Sequence, residues 1–200
     1  MDQEKVWDAI ASSWDARRNR VFPEVIEFLR DTNGNYLDLG CGTGRNFLKL
    51  SGAKCYGVDF SDGQLKLARE AAEKKGVPVD LRKSDATKLP FEDNFFDKVL
   101  FHSVIHCVDS GEDRKKALEE IYRVLRVGGV AMITAWGRKS PRLKNKEKET
   151  VVPWTNNEKE YLRSTYIYDF DELEDLLKGI GFKIISGEER ENLVFIVGKG

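Results

Sequence analysis

Ten residues constrain this chain more than any others: Asn35-Tyr36-Leu37-Asp38-Leu39-Gly40-Cys41-Gly42-Thr43-Gly44. Tyr36, Leu37 and Leu39 suit a short buried strand, and glycines at alternate positions follow it at once. Glycine lets a backbone turn sharply and approach a ligand closely. Arg45, Asn46, Phe47, Leu48 and Leu50 are expected to open a helix whose N-terminus presents free N–H groups. A second strand (Cys55, Tyr56, Val58) leads to Asp59, nineteen residues past Gly40. An acid about 20 residues beyond a glycine turn is the spacing of a nucleotide-binding βαβ unit, with the carboxylate on a ribose. A nucleotide-type cofactor is therefore expected over this turn.

Spacing narrows the cofactor. The dinucleotide pattern G-x-G-x-x-G needs a small residue at position 45, where Arg45 stands, and no G-x-x-x-x-G-K-[ST] loop occurs. Asp38 to Gly44, with its acid two residues before the first glycine, instead resembles the first motif of class I S-adenosylmethionine-dependent methyltransferases. The resemblance covers nearly the whole chain. It takes in Asp59, Ser84-Asp85-Ala86 with Leu89-Pro90-Phe91, and Ile121-Tyr122-Arg123-Val124-Leu125-Arg126-Val127-Gly128-Gly129.

That resemblance implies a Rossmann-like three-layer α/β/α sandwich around a seven-stranded, mainly parallel sheet whose last strand is antiparallel. It implies S-adenosylmethionine as cofactor and S-adenosylhomocysteine as product. Asp38, Gly40, Gly42 and Gly44 would form the cofactor turn, and Asp59 would take the ribose hydroxyls. Phe60 would pack on the adenine, Asp85 would bind its amino group with Ala86 alongside, and Phe101 would close the fourth strand beside the cofactor. Arg18 is placed on an anionic group of cofactor or substrate.

The order of elements argues independently for an α/β fold. Residues 4–15 carry Val6, Trp7, Ile10, Ala11 and Trp14 at helical spacing, a face suited either to capping the cofactor mouth or to plain core packing. Pro23 opens a second helix, and Ser61 caps a third that ends at Gly76. Strands are expected over Val77–Arg82, Phe96–Phe101 and Val130–Trp136, with a helix from Glu112 to Leu125 closed by Gly128-Gly129. A last helix runs from Asp171 to Ile180, followed by strands over Phe182–Ile185 and Leu193–Val197. Such alternation builds a mainly parallel sheet with helices on both faces. One domain over 1–200 is expected, with capping helices in 1–32 and a substrate- or partner-facing insertion in 137–168. The run Arg138–Lys148 holds six Lys/Arg against one acid and shows no period, which reads as a mobile insertion.

Composition excludes several classes. A net charge of −1 leaves no global field for nucleic acid, so any such contact must be local. Cys41, Cys55 and Cys107 are odd in number and form no C-x-x-C, which suits reduced thiols. No apolar run approaches the ~20 residues of a membrane span, and Met1-Asp2-Gln3-Glu4 lacks signal-peptide character, so a cytoplasmic protein without membrane contact is expected.

A narrower resemblance concerns the acceptor. Ser103-Val104-Ile105-His106, Arg114, Ala117, Ala135-Trp136 and Val151-Val152-Pro153-Trp154 resemble one subgroup, the tRNA methyltransferases that esterify a carboxymethyl group on the wobble uridine. Those enzymes work with a small zinc-binding activator subunit. The chain departs from them at Ser164-Thr165-Tyr166, where aromatic residues and a histidine are usual, and at Cys107, where a second histidine is common. His106, lining the acceptor pocket, and Arg163, on an anionic group, are the catalytic candidates; Trp154 and Tyr166 are candidates to stack on a base, and Arg142 and Lys144 to meet phosphate, as the resemblance favours for the basic run. His106 otherwise reads as a structural histidine, and each arginine as a solvated surface group. His102 and His106 stand four apart without a third ligand, so no metal is expected. A carboxylate acceptor is ionised at neutral pH and needs no general base, in keeping with a chain of two histidines. The alternative is a small-molecule methyltransferase whose N-terminal helix and 137–168 insertion close the pocket.

Overall fold

Glycine turns and buried apolar strands set out a seven-stranded sheet. The computed structural model describes residues 2–18, 20–141, 143 and 145–200. Seven strands, β1 (Gly34–Leu39), β2 (Ala53–Asp59), β3 (Val79–Lys83), β4 (Phe96–His102), β5 (Leu125–Trp136), β8 (Lys183–Glu189) and β9 (Asn192–Gly198), form one sheet in the order β3-β2-β1-β4-β5-β9-β8. β9 runs antiparallel to β5 and β8, while β1 to β5 pair in parallel. The chain goes outward from β1 through β2 to β3 and then returns to β4 on the other side of β1. Open α/β sheets bind ligands at such a reversal, beyond the carboxyl ends of the strands.

Helices cover both faces because each presents one apolar stripe. On one face α4 (Gly111–Val124) and α5 (Phe170–Ile180) bury Leu118, Ile121, Leu173 and Leu177 against Leu37, Val99 and Ile133. On the other, α2 (Pro23–Leu29) and α3 (Asp62–Lys75) bury Val25, Leu29, Leu65 and Ala68 against Tyr36, Leu100 and Met132. Ser61 caps α3 by accepting from the Gln64 N–H, and Gly76 ends it at φ 62°, a left-handed conformation that favours glycine. α4 stops at Val124 and passes straight into β5 at Leu125, without waiting for Gly128-Gly129. β3 begins at Val79, two residues later than expected, because Val77 and Pro78 complete the turn out of α3.

The 137–168 segment, in which no regular element was expected, is structured beyond the Arg138–Lys148 run. It contains a second, two-stranded sheet, β6 (Glu149–Asn156) against β7 (Lys159–Tyr166). Asn157 and Glu158 join the strands with φ of 48° and 63°, the two positive values of a type I′ hairpin turn. Alternation is present in β6, where Val152 and Trp154 face in while Val151 and Pro153 face out. In β7 the most buried positions are Arg163 and Thr165, which hides the strand from an apolar count.

The hairpin and α1 (Gln3–Arg17) make a roof over the carboxyl ends of the strands. The Trp154 indole N–H donates to Ser13 Oγ at 2.9 Å, and the Ser164 N–H donates to Gln3 Oε1 at 3.0 Å. From below, Asp8 Oδ1 accepts from Ser61 Oγ at 2.5 Å and from the Gly63 N–H at 2.9 Å, which ties α1 to the start of α3. Loss of a charged hydrogen-bonded group of this kind costs about 1–3 kcal/mol. Asp8→Ala is therefore expected to lower stability by about that amount, read as a reduced denaturant midpoint at unchanged m-value. An unchanged midpoint would mean that α1 is held by its apolar face alone.

Candidate functional site

Gly40, Gly42 and Gly44 adopt φ of 69°, 55° and 77°, so each sits where a side chain would be strained. A Cβ on Gly40 would lie 2.4 Å from the Val104 side chain, and one on Gly44 would lie 2.5 Å from the Phe47 ring. Beyond the glycines the expected helix does not form. Residues 41–50 follow a series of turns, with the Phe47 N–H on the Gly44 carbonyl. The Gly44 and Arg45 carbonyls, which a helix would use further along, accept instead from Lys75 Nζ at 2.9 and 2.7 Å. The Gly42 N–H donates to Asp59 Oδ2 at 2.9 Å, and the Ser61 N–H donates to Asp59 Oδ1 at 3.0 Å. The turn's donor thus serves a protein carboxyl, and the arrangement suits a ligand without a pyrophosphate.

A cleft of about 300 Å³ opens above this turn. Gly40, Gly42, Asp59, Phe60, Asp85 and Ala86 line it together, as their expected common site requires, and Trp7, Trp14 and Gln3 of α1 form its upper wall. Asp85 is exposed and accepts from the Thr87 N–H at 2.8 Å and the Thr87 hydroxyl at 2.7 Å. Asp38 and Gly44 lie beneath the lining, and Phe101 is fully buried in the core. Arg18 is exposed outside the lining, its guanidinium 5.4 Å from the Trp14 ring. Residues the sequence reading did not assign also face the cleft: Arg45, Asn46, Gln64 and His102. Ser103 beside them takes φ of 62°, an uncommon value for a non-glycine residue and one found at functional loops.

Arg163, one of the residues expected to meet the acceptor, lies behind the Trp7 and Trp14 indoles that line the cleft. Arg163 is buried, with its guanidinium 5.1 Å from the Trp14 ring, 5.4 Å from Trp154 and 5.7 Å from Trp7. Among the described residues no carboxylate pairs with it, and its Nε is buried without a hydrogen-bond partner. Burial, foremost, pulls its pKa below the usual arginine value. Trp154 is buried beneath the roof with its N–H committed to Ser13, so it offers no free face to solvent. His106 is buried and stacks on Trp136 at 4.6 Å, with Nδ1 unpartnered. Burial and the Arg163 charge push its pKa down to about 3. Tyr166 donates to Glu172 and lies under the Arg114 guanidinium, 4.0 Å away, so it is a packing residue here. Arg142 and Lys144 lie outside the described residues. Three of their basic neighbours are engaged: Arg138 with Asp169, Lys139 with Glu189, and Lys148 with Asp169 and Glu172.

A family model described as "Methyltransferase domain" matches residues 37–133, the stretch from β1 to β5. A putative methyltransferase of Encephalitozoon cuniculi is 33% identical over 206 residues, covering 98% of this chain and 94% of its own length. This chain belongs to the class I S-adenosylmethionine-dependent methyltransferases. An Arabidopsis thaliana tRNA (carboxymethyluridine(34)-5-O)-methyltransferase is 35% identical over 136 residues, covering 66% of this chain and 32% of that protein, so the chain spans about a third of that relative's length. Among solved structures, a DhpI complex with S-adenosylmethionine superposes with a TM-score of 0.76 at 22% identity, covering 99% of this chain and 96% of that one. A putative methyltransferase in complex with the Trm112 activator of Haloferax volcanii superposes with a TM-score of 0.72 at 15% identity, with 96% of each chain covered.

The cleft of this methyltransferase fits its cofactor on chemical grounds. Asn46 and Gln64 line it, and each buries a side-chain carbonyl oxygen that has no hydrogen-bond partner among the described residues. Burial raises the Asp59 pKa from 3.8 to about 6, while its backbone donors oppose that rise. Burial likewise lifts Asp38 to about 7, against a hydrogen bond from Asn46 that lowers it. A ribose hydroxyl donates best to an ionised carboxylate, so cofactor affinity should rise with pH as Asp59 loses its proton. Titration calorimetry with S-adenosylhomocysteine between pH 5 and 8 should show that rise with a midpoint near 6. Asp59→Asn should flatten it and weaken binding at pH 8 by about 1–3 kcal/mol. A variant that keeps the wild-type affinity and profile would remove Asp59 from the ribose site.

Proposed function

We propose that this methyltransferase esterifies a carboxylate, that of a carboxymethyl group on the wobble uridine of tRNA. Arg163 carries the proposal. A buried guanidinium without a carboxylate partner is costly, and an anionic ligand arriving beside it would supply the missing partner. Its place behind Trp7 and Trp14, which line the cleft, puts that cation next to the flat aromatic walls a pyrimidine would use. The name of the Arabidopsis relative supports the same acceptor chemistry.

When bound, the cofactor supplies an electrophilic methyl group on a sulfonium. What remains for the protein is alignment, which can be worth roughly 7–11 kcal/mol. Neither histidine near the cleft is tuned as a base for a neutral acceptor. Burial holds both His102 and His106 down to about 3, where they are neutral and weakly basic at pH 7. A carboxylate, with a pKa near ~4, arrives already ionised. Arg163 would hold it while the indoles exclude water.

A second reading rests on the roof itself. α1 and the hairpin close over the cleft, and the described cations of the 138–148 run are mostly ion-paired, which suits a small carboxylic acid held in a closed pocket. For tRNA, much of the affinity would then come from a partner. The free edge of β3 is the surface for such a subunit, a small zinc-binding activator in the resembling enzymes. β3 pairs with β2 alone, and Ala72, Val77, Val79 and Leu81 line a groove beside it.

Purified protein, alone and with a candidate activator, should be incubated with labelled cofactor and tRNA carrying 5-carboxymethyluridine. The expected product is a methyl ester: label in the wobble nucleoside by mass spectrometry that is released by mild alkali. Label that resists alkali, or label that enters small carboxylic acids and never tRNA, would overturn the tRNA reading. Arg163→Met should lower kcat/KM for the acceptor by roughly 10–100-fold, the scale of a charged hydrogen bond. Its affinity for S-adenosylhomocysteine should stay within about twofold of wild type, since the residue lies outside the cofactor lining.

A further inference from the structure

The charges around the cleft are unequal. Asp59, Asp85, Asp109 and Asp113 line it against one guanidinium, that of Arg45. S-adenosylmethionine carries two cationic groups, the sulfonium and the ammonium, and one anion, the α-carboxylate of its methionine part. Among these lining residues the carboxylate would be repelled everywhere except beside Arg45.

Strand order supplies the direction. Asp85 follows β3 and Asp59 ends β2, so the adenine and ribose side of the cleft lies over those strands. Gly40 follows β1, and His102 ends β4 on the far side of it. A cofactor laid across the turn from Asp59 therefore points its methionine part toward β4. There Arg45 Nη2 meets His102 Nδ1 at 3.3 Å. The Phe22 ring packs against both, 5.2 Å from the guanidinium and 5.1 Å from the imidazole.

We infer that Arg45, positioned by His102, binds the α-carboxylate of S-adenosylmethionine, a group for which Arg18 was one expected partner. Arg18 is exposed on the outer side of Trp14, and Arg163 stands behind the indole wall, whereas Arg45 borders the cleft directly. Since His102 Nδ1 accepts from Arg45, the ring proton sits on Nε2, which faces the Glu24 carboxylate at 3.9 Å. Burial, with the Arg45 charge, holds the His102 pKa near 3. The imidazole thus stays a neutral acceptor across the working range and keeps the guanidinium turned toward the cleft, with its remaining N–H groups for the ligand.

The test uses two ligands that differ in the carboxylate: S-adenosylmethionine and its decarboxylated form. Titration calorimetry without acceptor gives each affinity. Wild type is expected to prefer S-adenosylmethionine by roughly 10–100-fold, the range of a charge-assisted contact. In Arg45→Met the preference should shrink to about twofold, through lost affinity for S-adenosylmethionine with the decarboxylated ligand unaffected. Arg45→Lys, which keeps a cation and serves if the methionine variant does not fold, should retain an intermediate preference. The inference is overturned if Arg45→Met and Arg45→Lys keep the wild-type preference, or lose both ligands equally, or if the preference disappears in Arg18→Met or Arg163→Met instead. Failure of wild type to bind either ligand would be a different result, directed at the cofactor and not at Arg45.

Discussion

The carboxyl of Asp59 joins three parts of the chain. It ends β2, accepts from the Gly42 N–H in the turn after β1, and accepts from the Ser61 N–H that leads into α3. Burial works against its charge, and its backbone donors offset part of that cost. Two consequences follow for the site. The glycine turn has a donor committed to protein, so its geometry serves close approach to the ligand and not an anion cradle. The acid itself remains at the cleft surface, fixed in place and able to accept from a ribose.

The roof depends on the same junction. Ser61, whose N–H is one donor to Asp59, donates a hydrogen bond from its hydroxyl to Asp8 and thereby holds α1 over the cleft. α1 in turn carries the hairpin through Ser13–Trp154 and Gln3–Ser164. The hairpin delivers Arg163 into the space between three indoles. A chain of hydrogen bonds, joined through the backbone of α1, therefore links Asp59 to the hairpin that carries the cation proposed for the acceptor. Each joint in it is buried or half-buried, where a lost partner costs more than the bond would contribute in water.

Charge is distributed along the cleft with a purpose that burial makes visible. Four carboxylates suit a cofactor whose reactive end is cationic. One guanidinium borders the lining and another stands behind it, and neither is ion-paired among the described residues. Both histidines are kept neutral by desolvation, so no neighbour competes with a guanidinium for an incoming carboxylate. With the carboxylate acceptor proposed here, such an enzyme would need this placement of fixed charge more than proton transfer.

Apolar periodicity and glycine spacing determined the sheet, its helices and the cofactor turn, because those features depend on neighbours within a few residues. The same local pattern puts Asp38, Gly40, Asp59 and Asp85 at or just past the carboxyl ends of β1, β2 and β3, where strand–helix alternation imposes their spacing. The missing helix after Gly44 was not legible, since it turns on Lys75, thirty residues away, taking the carbonyls that a helix would use. The hairpin was hidden because its inward positions include Arg163 and Thr165, polar residues whose burial is visible after α1 folds over them. Arg45 and His102 stand 57 residues apart and come from different strands' ends, so their contact belongs to the tertiary fold. Local pattern can specify which backbone will turn beside a ligand; which charges face that ligand is set by how the sheet brings distant strand ends together.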